Sequence, residues 1–493
     1  MRKSAEFLTG PWMLTCIPLV LFLSLALVCR HYTVDDAFIS FRCARNLAQG
    51  NGLVFNVGER VEAFSNPLWV LILSLASLTR IDIVAASKLI GIGCGVLTLL
   101  LLMRLCLRVL ALSRAATLIA LCYAASNISI VYSAISGLET AFYTASLVLM
   151  VCLLTEKKEM PAGVACALLT LTRPEGILYA VPLAIGCYLN GCGFRRLMSV
   201  LCIPVAAYGL FASFRLLYYG TLLPNSYNAK IGTLPASIEP SISRARVFLQ
   251  YSWFVSTVQE PVLFLSFVGG LALFNRKLAP VFGAIGVAAF FVWYSKGDWM
   301  SFWRFYTPVV PFLTVFWVGA LELIRLSLGR SRKANVFLVV LLLPLIMSFA
   351  RTVKSVDALE SGAEFNPAMH SREHAKIGAY LASISSPSDV VVANEIGAIS
   401  YYSGLTTVDM LGLTDRRVPL LLRRGNLDAY ADYILSREPA FIVLNDRQTP
   451  GEKALHPVHA AIYRTMMETK LYRKDRQFPL NSFKNALLFV RER

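Results

Sequence analysis

The chain has 493 residues, of which 56% are apolar and only 16% charged, and its formal net charge is +17 at pH 7. A mean hydropathy of +0.59 and several uncharged stretches close to the roughly 20 residues of a membrane crossing exclude an ordinary soluble protein. In a membrane protein, Lys and Arg accumulate in cytoplasmic loops. We therefore interpret the positive charge as a topology signal and not as a nucleic-acid surface.

The first apolar stretch, Trp12 to Cys29, follows a short basic start, and no small-residue cleavage pattern comes after it. We predict a retained membrane helix and not a cleaved signal peptide. The next apolar stretch, Pro67 to Thr79, is too short for a standard crossing. Placing it against the outer leaflet keeps Arg104, Arg108 and Arg114 in the cytoplasm, as the positive-inside rule requires.

The remaining apolar stretches alternate so that every turn rich in Lys and Arg lies in the cytoplasm. After the first helix, the predicted spans are 84–103, 115–133, 140–155, 160–172, 176–191, 197–217, 261–275, 278–295, 304–324 and 334–350. The sequence thus predicts an α-helical polytopic membrane domain over residues 1–351, with about eleven crossings. Its main outer loops are predicted at 30–66 and 218–260.

The chain changes character after residue 351. SDVVVANEIGAISYYSG (388–404) and PAFIVLN (439–445) predict short buried strands, and HSREHAKIGAYLASI (370–384) predicts an amphipathic helix. We therefore predict an extracytoplasmic α/β domain over residues 352–493. His370 and His374 have a spacing that zinc ligands can adopt, but without the glutamate of HExxH we expect them on a solvated face.

Eleven cysteines lie between Cys16 and Cys202, mostly within apolar segments, and no pair has CxxC spacing. None follows Cys202, so a disulfide-stapled extracellular fold is not indicated. We interpret the cysteines as small buried hydrophobic side chains.

Unusual polar stretches gather on the predicted outer face, at the ends of apolar spans: Asp35-Asp36, SGLET (136–140), LTRPEG (171–176), YYGTLLPNSYNAK (218–230) and YSKGDWMSFWRFYTP (294–308). A charge in such a place is costly unless it is paired or used. We expect these charges to converge with the Asp pair: Glu139, Arg173, Glu175, Lys230, Lys296, Asp298 and Arg304. For any single residue, a helix-end charge that snorkels or caps is the open alternative.

A carboxylate beside cations at the boundary between lipid and water fits the transfer of a sugar from a lipid phosphate. The carboxylate can take the proton of an acceptor hydroxyl as it attacks the anomeric carbon. Arg and Lys can stabilise the departing phosphate. Such a donor needs no nucleotide site, and the sequence contains neither GxxxxGK[ST] nor a strand-anchored GxGxxG.

The stretch DDAFISFRCARNLAQGNGLVFNVGERVEAFSNPLW (35–69) resembles the first-loop signature of a bacterial branch of the polytopic C-superfamily glycosyltransferases, the GT-C fold. That branch includes the arabinofuranosyltransferases that add terminal β-arabinofuranose to mycobacterial cell-wall arabinan. SGLET, TRPEG, YYGTLLPNSYNAK, GDWM with RFYTP, and ANEIGAISYYSG with VDMLGLTD are similar to the branch in the same order. The likeness is patchy along roughly the whole chain, and the first-loop motif is its most specific part.

The resemblance implies a polyprenyl-phosphate sugar donor, an inverting displacement and an Asp of the first outer loop as general base. By position the base is Asp35 or Asp36, and we favour Asp35, with Asp36 as the alternative base or a partner. The implied donor-phosphate contacts are Arg42, Arg173, Lys230 and Arg304. The implied sugar or acceptor contacts are Glu139, Glu175, Asn225 and Asp298.

Departures from the family pattern leave the sugar open, with arabinofuranose as one candidate. Cys43 stands where an aromatic residue is common, and Ala63-Phe64-Ser65 replaces a more usual Gly-Tyr-Thr. A divalent cation is also open, because Asp35, Asp36 and Asp298 could supply oxygen ligands but no spacing demands it. No other cofactor is expected.

The expected setting is the bacterial cytoplasmic membrane, with the C-terminal domain outside. The expected partners are the lipid bilayer, the polyprenyl-phosphate donor and an acceptor hydroxyl on an extracytoplasmic glycan, lipid or protein, but not nucleic acid. One alternative is a transporter or flippase for a lipid-linked sugar, which would have charges near the bilayer midplane. Another is a non-catalytic scaffold that binds cell-wall glycan, which would tolerate the loss of both aspartates.

Overall fold

The computed structural model describes residues 11–231, 246, 249, 278–295, 300, 302, 304–329, 343, 346–355, 367–447, 456–481 and 484–492. The contacts between their Cα atoms divide the chain into two compact units. The first unit draws on 1–32, 87–210 and 242–357, and the second on 33–86, 211–241 and 358–493.

Helices make up most of the described chain up to residue 328, and most of these helices are apolar. They are α1 (Pro11–Val28), α2 (Asp35–Ala48), α3 (Pro67–Leu78), α4 (Ile83–Arg104), α5 (Arg114–Ser126), α6 (Ile128–Ile135), α7 (Thr140–Thr155), α8 (Glu159–Thr172), α9 (Ala180–Leu189), α10 (Phe194–Tyr219), α11 (Asn225–Ile231), α12 (Ala279–Ser295) and α13 (Val310–Leu328). Short 3-10 turns, Pro174–Tyr179 and Thr307–Val309, precede α9 and α13.

Three helical stretches of the described chain are long and apolar enough to cross a membrane: Ile83–Val109, Phe194–Tyr219 and Thr307–Leu328. The pair α5 and α6 makes a fourth if it counts as one span, and it is bent by 51°. The bend has a local cause at Asn127, whose backbone is extended and whose Oδ1 accepts a hydrogen bond from the Ser129 backbone NH. An Asn in this role ends one helix and caps the next.

Shorter apolar helices cover most other predicted spans, and α3 begins at Pro67 and has only 12 residues, as its sequence predicts. The predicted span 261–275 and most of 334–350 lie outside the described residues, as does the outer loop beyond residue 231. The number of crossings therefore stays a prediction. All eleven cysteines are described and are free thiols, and the buried interpretation is wrong for Cys16 and Cys202, which are exposed.

The second unit contains a five-stranded sheet in the order β2-β1-β3-β5-β4. Its strands and helices in chain order are α14 (Pro367–Ile384), β1 (Val390–Ala393), α15 (Ile396–Ser403), β2 (Thr406–Asp409), α16 (Arg417–Arg424), α17 (Leu427–Leu435), β3 (Phe441–Arg447), α18 (Pro457–Thr469), β4 (Tyr472–Asn481) and β5 (Lys484–Arg491). Strand β1 is parallel to β2 and β3, whereas β5 is antiparallel to β3 and β4.

The predicted helix over 370–384 and the predicted strand over 439–445 are confirmed by α14 and β3. The strand predicted over 388–404 is wrong in its second half, because only β1 is extended and the rest forms α15. A short apolar run does not distinguish a buried strand from a buried helix. Gly404 ends α15 with a φ of +73°, in the left-handed region that favours glycine.

The first outer loop belongs to the same compact unit as this sheet. Residues 33–86 share the second unit with residues 358–493, and α2 contacts both α15 and α14. The predicted boundary at residue 352 divides the chain by sequence position alone. The contacts instead place the segment that contains Asp35 and Asp36 in the same unit as the C-terminal segment.

Candidate active site

Asp35, the first residue of α2, is buried, and its carboxylate is held by the C-terminal segment. Its Oδ2 accepts a hydrogen bond from the Gly397 backbone NH at 3.0 Å, and its Oδ1 accepts one from the Ala398 backbone NH at 3.0 Å. Nδ1 of His374 lies 3.3 Å from Oδ1. Gly397 and Ala398 are in the first turn of α15, where backbone NH groups lack partners within the helix and favour an anion.

The surroundings keep Asp35 ionised. Burial raises the pKa of this carboxyl. The hydrogen bond with His374, the positive charge of that ring and the NH groups of Ala398 and Gly397 lower the pKa by more than burial raises it. The net pKa therefore lies below the ordinary value for Asp, because hydrogen bonds to the charged form favour that form. Asp35 is a fixed anion of the fold, with only 6% of its surface exposed.

Asp36 follows in the same turn of α2 and is only partly buried. Successive residues of an α-helix are rotated by about 100° around the axis, so the two carboxylates leave α2 in different directions. Asp36 is therefore turned away from the Asp35 carboxylate, which is engaged with α14 and α15.

Arg42, expected to contact phosphate, is buried and holds backbone carbonyl groups instead. Its Nε donates to the Phe55 carbonyl at 2.8 Å and its Nη2 donates to the Leu405 carbonyl at 2.7 Å. Its Nη1 donates to the Ser400 carbonyl. With each of its nitrogens engaged in this way, the geometry favours a structural role over phosphate binding.

Asn225, expected to contact sugar or acceptor, also has a role in the fold. Its Nδ2 donates to the carbonyl oxygens of Gly412 at 2.8 Å, Leu413 at 2.9 Å and Asp415 at 3.1 Å. Its backbone NH donates to the Glu62 carbonyl. Asn225 thus ties the start of α11 to the turn after β2 and to the first outer loop.

The first unit brings together three other predicted residues. Nη1 of Arg173 lies 2.6 Å from Oε1 of Glu139, and its Nε contacts the Glu175 carboxylate. Arg173 and Glu139 are buried, at 8% and 3% exposure. Because two carboxylates already neutralise this guanidinium, Arg173 is better suited to orienting Glu139 and Glu175 than to binding a phosphate.

Arg304 lies on the same cleft as this cluster. The cleft encloses about 320 Å³, including the space at its open mouth, and it is lined by Thr140, Tyr143, Arg173, Glu175, Tyr179, Val287, Ala288, Phe291, Arg304, Phe305 and Pro308. The Phe305 ring centre is 5.2 Å from the guanidinium carbon of Arg173 and 5.0 Å from that of Arg304. An aromatic face at this distance stabilises a cation.

The structure thus groups four predicted residues, Glu139, Arg173, Glu175 and Arg304, in the first unit, and places Asp35, Asp36, Arg42 and Asn225 in the second. Asp298 and Lys296 lie outside the described residues, as does the side chain of Lys230. Their convergence with the Asp pair stays a prediction. No group of three or more His, Cys, Asp or Glu side chains within the described ranges is placed to hold a metal ion.

Sequence reasoning missed the roles of three residues. His374 was expected on a solvated face, but it is 1% exposed against Asp35. Its helical spacing from Ile377 and Leu381, both fully buried, was the signal that it belongs to the apolar stripe of α14. Arg215 ion-pairs with Glu62, and the signal there was a charge inside a predicted membrane span.

Comparison with known proteins gives partial sequence matches. A sequence-family model described as a domain of unknown function, DUF8728, matches residues 364–486. Terminal beta-(1->2)-arabinofuranosyltransferases from Corynebacterium glutamicum and Mycobacterium tuberculosis match with 49% identity over 49 residues and 50% over 44 residues. These matches cover 10% and 9% of this chain and 7% of each relative.

The fold has a match along nearly the whole chain. ArnT from Cupriavidus metallidurans bound to undecaprenyl phosphate aligns with a TM-score of 0.57 and 14% identity, covering 96% of this chain and 97% of that one. The apo form of the same protein gives a TM-score of 0.58. The chain therefore shares the GT-C fold, and its resemblance to the arabinofuranosyltransferase branch of that superfamily is confirmed.

Proposed function

We propose that the protein is a membrane glycosyltransferase that transfers a sugar, with inversion, from a polyprenyl phosphate to a hydroxyl of an extracytoplasmic glycan or lipid. The observation that carries this proposal is the pair at the start of α2, in which Asp35 is fixed by three donors and Asp36 is only partly buried. The GT-C fold shared with an ArnT solved with undecaprenyl phosphate supports the donor class. The curated relatives' names make arabinofuranose the first sugar to test.

Asp36, and not Asp35, is our candidate base, which reverses the preference drawn from position in the sequence. A base must reach the hydroxyl proton of the acceptor, and the Asp35 oxygens already accept hydrogen bonds. In the proposed step, the acceptor oxygen attacks the anomeric carbon while Asp36 takes its proton. The bond between the anomeric carbon and the phosphate oxygen breaks, and the polyprenyl phosphate leaves with the bonding electrons.

Arg304, which lines the cleft, and Lys230 are our candidates for stabilising the departing phosphate. Arg42 is less suited because its nitrogens donate to backbone carbonyl groups, and Arg173 because two carboxylates neutralise it. A cation aimed at the position where negative charge develops lowers the barrier to such a displacement. Glu139 and Glu175, oriented by Arg173, are candidates for contacts with sugar hydroxyl groups. We place the reaction on the outer side of the bacterial cytoplasmic membrane.

The test uses purified protein in lipid, with Asp35→Asn and Asp36→Asn prepared separately. Each variant is assayed for transfer from a panel of polyprenyl-phosphate sugars, beginning with arabinofuranose, and its folding is checked by thermal unfolding. We expect Asp36→Asn to unfold like the wild type and to lose about a thousandfold in rate. We expect Asp35→Asn to unfold at a lower temperature, because an amide replaces the buried anion that three donors face.

Two results would contradict the proposal. If Asp36→Asn keeps wild-type turnover, the base lies elsewhere. If the wild type transfers nothing from any donor, a transporter of lipid-linked sugar or a glycan-binding scaffold explains the molecule better, and flux across vesicles separates those two.

A further inference from the structure

A buried polar seam joins the first outer loop to the C-terminal segment within the second unit. We define the seam as the contacts of residues 33–56 with residues 371–407. Besides the three donors on Asp35, it contains the bonds from Arg42 to Ser400 and Leu405. Asn56 and Thr407 exchange two hydrogen bonds, at 2.9 Å and 3.1 Å. The seam is thus made of directional bonds between groups that are largely buried.

The seam fits most tightly at Asp35. A Cβ atom built at Gly397 would lie 2.0 Å from the Asp35 carbonyl oxygen and 2.5 Å from its Oδ2. Only a glycine permits this approach of α15 to α2. The position of the first turn of α2 is therefore fixed by residues more than 330 places further along the chain.

His374 supplies the one side-chain donor to this carboxylate among the contacts described, the other two being backbone NH groups. An apolar residue at position 374 would fill the same space, and a buried ion pair gives little net stability over a pair of apolar side chains. A hydrogen bond, in contrast, fixes the direction of the carboxylate. The next residue in the chain is Asp36, the candidate base. Because both residues belong to the first turn of α2, fixing the position of Asp35 also fixes the position of the Asp36 backbone.

We infer that His374 is a positioning residue for sugar transfer: together with the Gly397 and Ala398 amides it orients Asp35, and through Asp35 it fixes the turn of α2 that presents Asp36. This inference rests on the proposed function, with Asp36 as base. It gives the segment 364–486, which matches the model of a domain of unknown function, a part in completing the active site.

The expected size of the effect follows from geometry. A displacement of about 1 Å in a catalytic group can cost on the order of a hundredfold in rate. Removing the His374 donor leaves Asp35 with two backbone donors, so the turn loosens without unfolding. We therefore expect kcat to fall by about 10- to 100-fold, while KM for the lipid donor stays within about twofold.

The decisive comparison uses His374→Leu, His374→Asn and His374→Gln in lipid. The amide of Asn can place a donor near the position of Nδ1, whereas that of Gln reaches the position of Nε2. His374→Asn should therefore keep most of the wild-type kcat, and His374→Leu and His374→Gln should lose it. If His374→Leu fails to fold, the Asn and Gln variants still test the inference. They show whether a donor at the position of Nδ1 is required or whether any polar side chain at position 374 is sufficient.

His459 provides a matched control in the same unit. It is 4% exposed on α18, and its Nδ1 accepts a hydrogen bond from the Asn445 backbone NH at 3.1 Å. His459→Leu should lower the unfolding temperature but leave the kcat of the folded protein unchanged. Equal losses of kcat in His459→Leu and His374→Leu would show that any buried histidine has this effect and would overturn the inference.

The outcomes also separate this inference from the proposed function. If Asp36→Asn is inactive but His374→Leu keeps wild-type kcat, or if His374→Asn is as slow as His374→Leu, only the positioning role is overturned. If Asp36→Asn is active, the proposed base is wrong, and the inference falls with it. The expected pattern is a slow Leu variant, a slow Gln variant and rescue by Asn, with Asp36→Asn inactive.

Discussion

Glu62 and Arg215 form a buried ion pair in the second unit, with Nε of Arg215 2.6 Å from Oε2 and Nη2 3.2 Å from Oε1 of Glu62. Their side chains are 1% and 4% exposed. Glu62 belongs to the first outer loop, and Arg215 lies near the end of α10. The two parallel bonds fasten the loop that carries the Asp pair to the end of a long apolar helix.

Breaking this pair on one side should destabilise the protein strongly. Glu62→Leu and Arg215→Met each leave one buried charge without compensation, which costs on the order of 3–5 kcal/mol. The double variant removes both charges and should recover most of that loss. Thermal unfolding of the four proteins measures the coupling, and additive losses in the double variant would show that the two side chains act independently.

Asn225 should behave as a structural residue. Asn225→Ala removes the donor shared by three carbonyl groups, at an expected cost of about 1–3 kcal/mol. Asn225→Asp places a carboxylate against the same oxygens and should be worse. Unfolding temperature and KM are measured for both variants. A normal unfolding temperature with a raised KM for the acceptor would instead support the contact with sugar or acceptor expected from sequence.

The close approach of α15 to α2 can be tested with a glycine pair. Gly397→Ala should lower stability by about 1–3 kcal/mol, because its Cβ would meet the Asp35 backbone and force a shift. It should also slow transfer, since Asp36 follows directly. The control is Gly209→Ala in α10, where nothing lies within 4 Å of the new Cβ. This variant should match or exceed wild-type stability because Ala favours helix.

The contact between Asp35 and His374 should make stability depend on pH. Burial lowers the pKa of His374, but Asp35 above all, then Glu395 and Glu373, raise it beyond the ordinary 6.5. The imidazolium therefore contributes stability that is complete below the unfolded pKa and lost as pH rises through the higher folded pKa. The pKa of Asp35 is lowered from 3.8, so its contribution is present above that value and lost as pH falls through the lower folded pKa.

The pair should therefore stabilise most between about pH 4 and pH 6.5. The measurement is the unfolding temperature of the wild type and of His374→Asn as a function of pH. The difference between the two unfolding temperatures should be largest near pH 6. It should shrink as the pH rises through the pKa of His374 in the folded protein. A difference that grows with rising pH would contradict an imidazolium at this position.

Local sequence patterns predict many of the helices of this protein. The apolar stretches within the described residues form helices, although Asn127 divides the span predicted over 115–133 into a bent pair. The stripe formed by Ile377 and Leu381 predicted α14. The polar motifs SGLET and LTRPEG lie at the ends of α6 and α8, and the structure brings their residues Glu139, Arg173 and Glu175 together. The helices and the cap at Asn127 have causes within a few residues along the chain, where periodicity is informative. The contact of Glu139 with Arg173, in contrast, joins residues 34 positions apart.

The sequence by itself determined the residue types of the candidate site, the helical character of the chain and, by resemblance, its fold. Only the tertiary structure decided that Asp35 is buried against α14 and α15 and that Asp36 is partly exposed, because both are the same residue type in the same turn. Their difference comes from partners 339 to 363 positions away. The same holds for Arg42 and Asn225, whose donors meet backbone carbonyl groups that no local pattern could place. Burial and hydrogen bonding across such distances are properties of the folded chain.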